Sequence, residues 1–311
     1  MRAVARRREG TEAPFKFVVN VGDNFYPNGV RSPLDTRWQS SWEHIYHSLP
    51  PMSWYSVYGN HDYGEIDLPC ACSGRDDIAG TQCAQVQKHG AVASDQAWHM
   101  PSMSHYMQPL PGVPLEIVTL DMNVVDASRI CPWIACGKEK CTDPNATQAP
   151  GCTYAVCHET LQARAEEAWE LLVSRVAAAK QATPRRHLIV NSHYPTTWLW
   201  WWRFKRKSIA NILYDPDVHI TFFGGHIHAT DNVTNVRKQL RRHGWNDFCV
   251  GGGGGWACDN AFTPMSQGFV TGQVRSDGSI SNLEFEMEPD DECCELNPRH
   301  HDPPSPPPPP T

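Results

Sequence analysis

Phe15-Lys16-Phe17-Val18-Val19-Asn20-Val21-Gly22-Asp23-Asn24-Phe25-Tyr26 reads as a short apolar strand that runs directly into a glycine turn carrying an acid. Aromatic and β-branched residues favour extended chain, and glycine ends it. The same grammar recurs three times. Trp54–Tyr58 leads into Gly59-Asn60-His61-Asp62, His187–Val190 into Asn191-Ser192-His193-Tyr194-Pro195, and Val218–Phe223 into Gly224-Gly225-His226-Ile227-His228. A fifth apolar run covers Leu115–Leu120. A helix is expected over about 159–180, where Leu161, Ala165, Ala168, Trp169, Leu172 and Val176 recur at spacings of three and four. A second is expected over Thr36–Ser48, and shorter strands over Phe248–Gly255, Gly268–Val274 and Ser281–Met287.

Strands alternating with helices predict an α/β class: a layered domain of β-sheet flanked by helices, over residues 1–290. Two long inserts, about 64–97 and 126–157, interrupt it and hold eight of the twelve cysteines. Residues 291–311 are acidic and then proline-rich, and a disordered tail is expected there. No cysteine pair has C-x-x-C spacing, so an even number in loops predicts disulfides and an oxidising compartment rather than zinc ligation. The sequons at Asn145 and Asn232 agree with a secreted glycoprotein. Met1–Gly10 is Arg-rich and has no apolar stretch of the kind a signal peptide needs.

Composition narrows the function. The chain is 40% hydrophobic with twelve Trp, which excludes general disorder. A net charge of −7 does not favour nucleic acid as partner. Two basic runs, Arg203–Lys207 and Arg237–Arg242, read as solvated surface or as steering for an anionic substrate. No apolar stretch has the length of a membrane span.

In α/β sheets the carboxyl ends of parallel strands line the crevice where ligands bind. Here those ends would deliver imidazoles, a carboxylate, a carboxamide and a phenol. Nitrogen and oxygen donors without thiolate suit Zn²⁺, Fe or Mn²⁺. One carboxylate can bridge two ions about 3.5–4 Å apart. Each turn alone is weak: an Asn-His-Asp turn is more often a cap, and a His before Tyr-Pro more often a packed strand end. Gly225-His226-Ile227-His228 is stronger, because alternate residues of extended chain face one side. All four together, each after a strand, point to a metal centre.

Gly22-Asp23-x-x-Tyr26, Gly59-Asn60-His61-Asp62, the strand-end His193 and Gly225-His226-x-His228 resemble the motifs of calcineurin-like metallophosphoesterases. Tyr26 narrows the resemblance to purple acid phosphatases of the small tartrate-resistant type. Trp98-His99-Met100-Pro101 and Gly251–Gly255 resemble further stretches of that type, and the resemblance covers about residues 1–287. It implies a binuclear acid phosphatase. Asp23 would bridge the ions, Tyr26 and His228 would bind Fe³⁺, and Asn60, His193 and His226 would bind Fe²⁺, Zn²⁺ or Mn²⁺. His61 would stand beside the leaving oxygen. The implied partner is a small phosphate ester, and the implied location is outside the cell or in a vacuole or lysosome. A phosphodiesterase or pyrophosphatase of the same fold, or a non-catalytic metal-binding homologue, stays open. Oligomeric state has no signature in the sequence.

Two departures stand out. The resemblance implies an earlier strand ending in a metal-binding Asp, yet no Asp precedes Asp23. The expectation is that this strand and a signal peptide lie upstream of Met1. The resemblance to mammalian members also implies a Glu several residues after His193-Tyr194-Pro195. The chain has Trp198-Leu199-Trp200-Trp201-Trp202 instead, read either as packing or as an aromatic lip on the crevice. His99 and His105 are expected near the crevice, and His187 and His219 at packing or surface positions.

Overall fold

The computed structural model describes residues 14–47, 49–64, 67–93, 96–137, 147, 150–227, 230–232, 246–250 and 267–288. His228, Gly251–Gly255, Asn145, Arg237–Arg242 and the tail from 291 lie outside the described residues.

The strand-to-turn units belong to two sheets rather than one. β1 (Phe17–Asn20), β2 (Met52–Ser56), β3 (Val92–Ala93) and β4 (Gln96–His99) form the first, in the order β1-β2-β4-β3. Of these, β1, β2 and β4 run parallel. The second sheet contains β5 (His105–Met107), β6 (Leu115–Leu120) and β7 (His187–Ser192). Beyond a small hairpin of β8 (Arg203–Phe204) and β9 (Lys207–Ser208), it continues with β10 (His219–Gly224), β11 (Thr230–Asn232) and β12 (Asn246–Val250). Its order is β11-β12-β10-β7-β6-β5, with β6, β7, β10 and β12 parallel. β13 (Gln267–Val274) and β14 (Ile280–Glu288) pair as an antiparallel hairpin.

Strand alternation explains the layering. Phe17, Val19 and Tyr55 of the first sheet meet Leu115, Ile117, Ile189 and Phe223 of the second. Val18 and Trp54 point the other way, into a cluster with Phe25, Trp38, Trp42 and Trp98. Val118, Leu120, Leu188, Val190 and Phe222 face the long helix, against Ala165, Ala168, Trp169, Leu172 and Val176. Parallel strands covered on both faces are apolar throughout, and β6 and β7 are buried at every position. The mixed α/β architecture is consistent with a metallophosphoesterase fold.

One helix stands where it was expected, and two expectations need correction. The helix expected over Thr36–Ser48 is present over residues 37–46, with a π-helical turn over Gln39–Glu43 inside it and an α-helical turn over His44–Tyr46 after it. Trp38 and Trp42 both pack edge-on against Trp98, at 5.0 and 5.4 Å between centroids. The insert at 126–157 is not loop throughout, because it holds helix α1 (Ala127–Cys136). The long helix, α2 (Tyr154–Gln181), starts before 159, where the Thr153 side chain accepts from Val156 N–H as its N-cap. Disulfide Cys70–Cys83 closes a loop within the first insert, while Cys72–Cys152 and Cys131–Cys157 tie the first insert and α1 to the start of α2. Among the described residues no helix is long and apolar enough to cross a membrane.

Candidate metal centre

Because β1 and β2 lie side by side in parallel, the turns that follow them emerge together. Gly59 passes so close that a Cβ there would lie 2.1 Å from Asp23 Oδ1 and 2.4 Å from Asp23 N. Only a residue without a side chain fits. Asp62 clamps the two turns. Its carboxylate accepts from the N–H groups of Asn24 (2.9 Å), Phe25 (3.1 Å) and Gly59 (2.8 Å), and from Asn24 Nδ2 and Gln85 Nε2. Burial, and then the charge of Asp23, push its pKa up to about 7 against the pull of those donors.

The second sheet supplies the other wall. His193 follows β7, and its Nδ1–H donates to the Val21 carbonyl at 2.8 Å. In the neutral ring that bond leaves the Nε2 lone pair pointing inward. Nε2 lies 2.9 Å from Asn60 Oδ1, 3.3 Å from His226 Nδ1 and 3.4 Å from Asp23 Oδ1. His226 Nδ1 is itself 3.0 Å from Asn60 Oδ1. Asp23 and His226 adopt φ of 55° and 65°, left-handed backbone that costs a side-chain-bearing residue about 1–3 kcal/mol. Such strain persists where surrounding structure enforces it.

With its proton on Nδ1, His193 Nε2 meets Asn60 Oδ1 as one acceptor facing another, a contact that a cation between them would relieve. A single ion with bonds of about 2.1 Å holds neighbouring donors about 3.0–3.4 Å apart in octahedral or tetrahedral geometry, so the observed spacings fit. The donor set of one carboxylate, two imidazoles and one carboxamide suits a borderline divalent ion. Counted in His, Cys, Asp and Glu alone, no group of three among the described residues could hold a metal. The carboxamide oxygen of Asn60 is the atom that joins the others into one set.

The two oxygens of Asp23 keep different company. Oδ1 accepts from His61 N–H at 3.0 Å and faces His193, whereas Oδ2 accepts from the Tyr26 hydroxyl at 2.7 Å. Burial alone would raise the Asp23 pKa, but His193, His61 and the Tyr26 hydrogen bond together hold it below the ordinary range. Burial, followed by the charge of Asp23, pushes the Tyr26 phenol above its own range. His61 Nδ1–H donates to the Pro27 carbonyl at 2.8 Å, and its ring lies 4.5 Å from that of Tyr26.

No protein-family model matches the chain, but individual proteins do. Purple acid phosphatase 7 of Arabidopsis thaliana is 46% identical over 55 residues, 17% of this chain and 17% of that protein. Tartrate-resistant acid phosphatase type 5 of Mus musculus is 26% identical over 182 residues, 58% of this chain and 44% of that protein. The chain is similar to purple acid phosphatases. The matched stretches span less than half of either relative. This similarity agrees with the one carried by the four turns.

The structure therefore brings Asp23, Tyr26, Asn60, His61, His193 and His226 together, while His228 lies outside the described residues. His99 and His105 are not brought in. His99 Nε2 lies 3.2 Å from Ser53 Oγ and its ring stacks on Tyr55, while His105 Nδ1 donates to Ser102 O. Three further residues adjoin the centre. Gln85, in the cysteine insert, bonds Asp62 and Asn24. The ring of Tyr194 is 4.7 Å from that of His226, and its hydroxyl donates to Asn123 Oδ1. The Trp198 ring stands 4.5 Å from His226. Only Tyr194 lay in a quoted motif. Trp198 belongs to the run read as packing or as a lip on the crevice, and only Gln85 arrives from a distant segment with no local signal.

Proposed function

We propose that this chain is the catalytic part of a binuclear-metal acid phosphatase that hydrolyses phosphomonoesters. The carrying observation is the convergence of Asn60 Oδ1, His193 Nε2 and His226 Nδ1 within 3.3 Å of one another beside Asp23. The domain would extend over residues 1–290, with 291–311 as a disordered tail. Asn60, His193 and His226 would hold one ion, of Fe²⁺, Zn²⁺ or Mn²⁺. Tyr26 and His228 would contribute to the other, Fe³⁺, with Asp23 between them. When bound, such ions supply Lewis acidity toward a phosphoryl group and make water nucleophilic at low pH.

The residues of the chain do the rest. Val21 O holds His193 in the tautomer that presents Nε2 to the ion, and Asp62 keeps the turns of Asn24 and Gly59 in register. Water oxygen forms the new P–O bond, the ester P–O bond breaks, and the alcohol departs with a proton. Pro27 O fixes the proton on His61 Nδ1, so Nε2 is the atom that passes a proton to the leaving oxygen. The purified chain should contain a transition metal by elemental analysis and release phosphate from phenyl phosphate at acid pH. Absence of both metal and turnover would overturn the proposal. The disulfides and sequons further support a secreted or vacuolar location, tested by glycosidase sensitivity of the native protein.

A further inference from the structure

The two halves of the donor set reach the centre on different sheets, and two ties hold them in register across the gap. The first is the bond from His193 Nδ1 to Val21 O, beside the turn of Asp23. The second runs through Asn123, which follows β6 and opens the short 3₁₀ turn Asn123–Asp126. Its Nδ2 donates at 2.9 Å to the carbonyl of Tyr58, directly before Gly59-Asn60. Its Oδ1 accepts at 3.1 Å from the hydroxyl of Tyr194, directly after His193. One side-chain amide thus spans from the Asn60 turn to the histidine turn. Both Asn123 and Tyr194 are buried.

The amide cannot turn over. Asp121 Oδ1 accepts from Asn123 N–H at 3.0 Å and from its Nδ2 at 2.8 Å. Both amide hydrogens therefore face acceptors, and Oδ1 is left for a partner that can donate. Asp121 is fixed in turn, because its other oxygen accepts from the Tyr63 hydroxyl, which accepts from the buried Arg164 Nη1 at 2.6 Å. The Tyr194 ring carries this constraint to the ligands. It lies 4.9 Å from the ring of His193 at 77° and 4.7 Å from that of His226 at 43°. Gly225 N–H donates to His193 O at 2.7 Å, so the turns of the two histidines are joined through their backbone.

We propose that Asn123 and Tyr194 are positioning residues of the metal centre. The bond between them sets the spacing of Asn60 from His193 and His226, and with it the affinity for the ion those three share. The proposal rests on the metal-centre reading given above. Metal–donor distances tolerate errors of only about 0.2 Å. Residues that orient ligands without touching the ion typically change metal affinity by about 10–100-fold.

Mn²⁺ binding to the full chain, dialysed free of metal and read from the electron paramagnetic resonance of free Mn²⁺, tests this without turnover. The site in question is the one that His193→Ala removes. Tyr194→Phe keeps both ring contacts and deletes only the hydroxyl, while the His193 bond to Val21 O remains. It should fold and bind Mn²⁺ about tenfold more weakly. Val176→Ala, in the packing of α2 on the second sheet, should lose at least as much in Tm and keep native affinity. That contrast separates positioning from general loosening. In an Asn123→Ala background, Tyr194→Phe should add less than about twofold, because groups acting through one bond are not additive. Unchanged affinity in Tyr194→Phe, equal weakening in Val176→Ala, or an undiminished loss in the Asn123→Ala background overturns the proposal. If Asn123→Ala does not fold, the first two comparisons decide. If the native chain binds no Mn²⁺ at a site that needs His193, the metal-centre reading fails and takes the proposal with it. Native binding with an indifferent Tyr194→Phe sinks the proposal alone.

Discussion

β7 and β10 carry a histidine pair at each end, and the two pairs behave differently. At the amino ends, His187 and His219 stack at 6.0 Å with planes 17° apart, and His187 Nε2 meets the Thr221 hydroxyl at 3.0 Å. Past the carboxyl ends, His193 and His226 stand at 81° with nitrogens 3.3 Å apart, both against Asn60 Oδ1. Both pairs are imidazoles on neighbouring parallel strands. The difference comes from what surrounds them. The first pair is completed within its own sheet by a hydroxyl that can donate or accept. The second faces a carboxamide oxygen and a carboxylate brought by the other sheet, and with those oxygens it forms the donor set proposed to hold a cation. A histidine pair becomes a metal site where its lone pairs converge with oxygens, not wherever two strands place it.

The sharpest way to break the comparison is to delete one histidine from each end. His193→Ala should remove the bound metal and lower phosphate release more than about a thousandfold, since an ion supplies several kcal/mol of charge stabilisation. His187→Ala should leave metal content and turnover intact and cost about 1–3 kcal/mol of stability through the unpartnered Thr221 hydroxyl. Equal metal loss in both variants, read by elemental analysis, would erase the distinction. Next in size is Gly59→Ala. Its methyl would strike Asp23 Oδ1, and a displacement of that order costs about a hundredfold in turnover. A fully active Gly59→Ala would mean that Asp23 is not held where the centre needs it.

His61 lies on the same rim but outside the donor set, so His61→Ala should lower kcat by about a hundredfold while metal content stays constant. Metal loss in that variant would make it a ligand instead. The smallest effect concerns pH. Burial, and then the stacked His219, hold the His187 pKa down at about 4. The unfolded ring titrates near 6.5, so between about 6.5 and 4 the unfolded chain takes up a proton that the folded chain refuses. His187 thus subtracts stability as pH falls through that window, on the order of 1 kcal/mol per pH unit. His187→Gln should lose less in melting temperature than the native chain between pH 7.5 and 4.5. Parallel pH profiles of the two would show that His187 is not buried neutral.

Much of this was legible in the chain itself. Leu115–Leu120 is a strand at the residues its apolar run marks, and β1, β2, β7 and β10 fall within a few residues of theirs. The turns after these four strands carry the candidate ligands, because glycine and strand propensity are read over a handful of neighbours. What Trp38 and Trp42 pack against shows where that reading stops. Two Trp four apart mark one face of a helix, and the structure has that helix, but the partner that face packs on, Trp98, lies some sixty residues on.

The sequence by itself determined which side chains end each strand and that their donors are nitrogen and oxygen, since both follow from residue identity and local order. Tertiary structure alone decided that Asp23 and Asn60 come from one sheet and His193 and His226 from another. It also decided that Cys72 pairs with Cys152 across both inserts, and that Trp201 points outward while Trp198 stands over His226. Those outcomes depend on which faces of two sheets pack together. Burial drives that packing without direction, and it pairs residues by where their chains pass, not by their distance along the sequence.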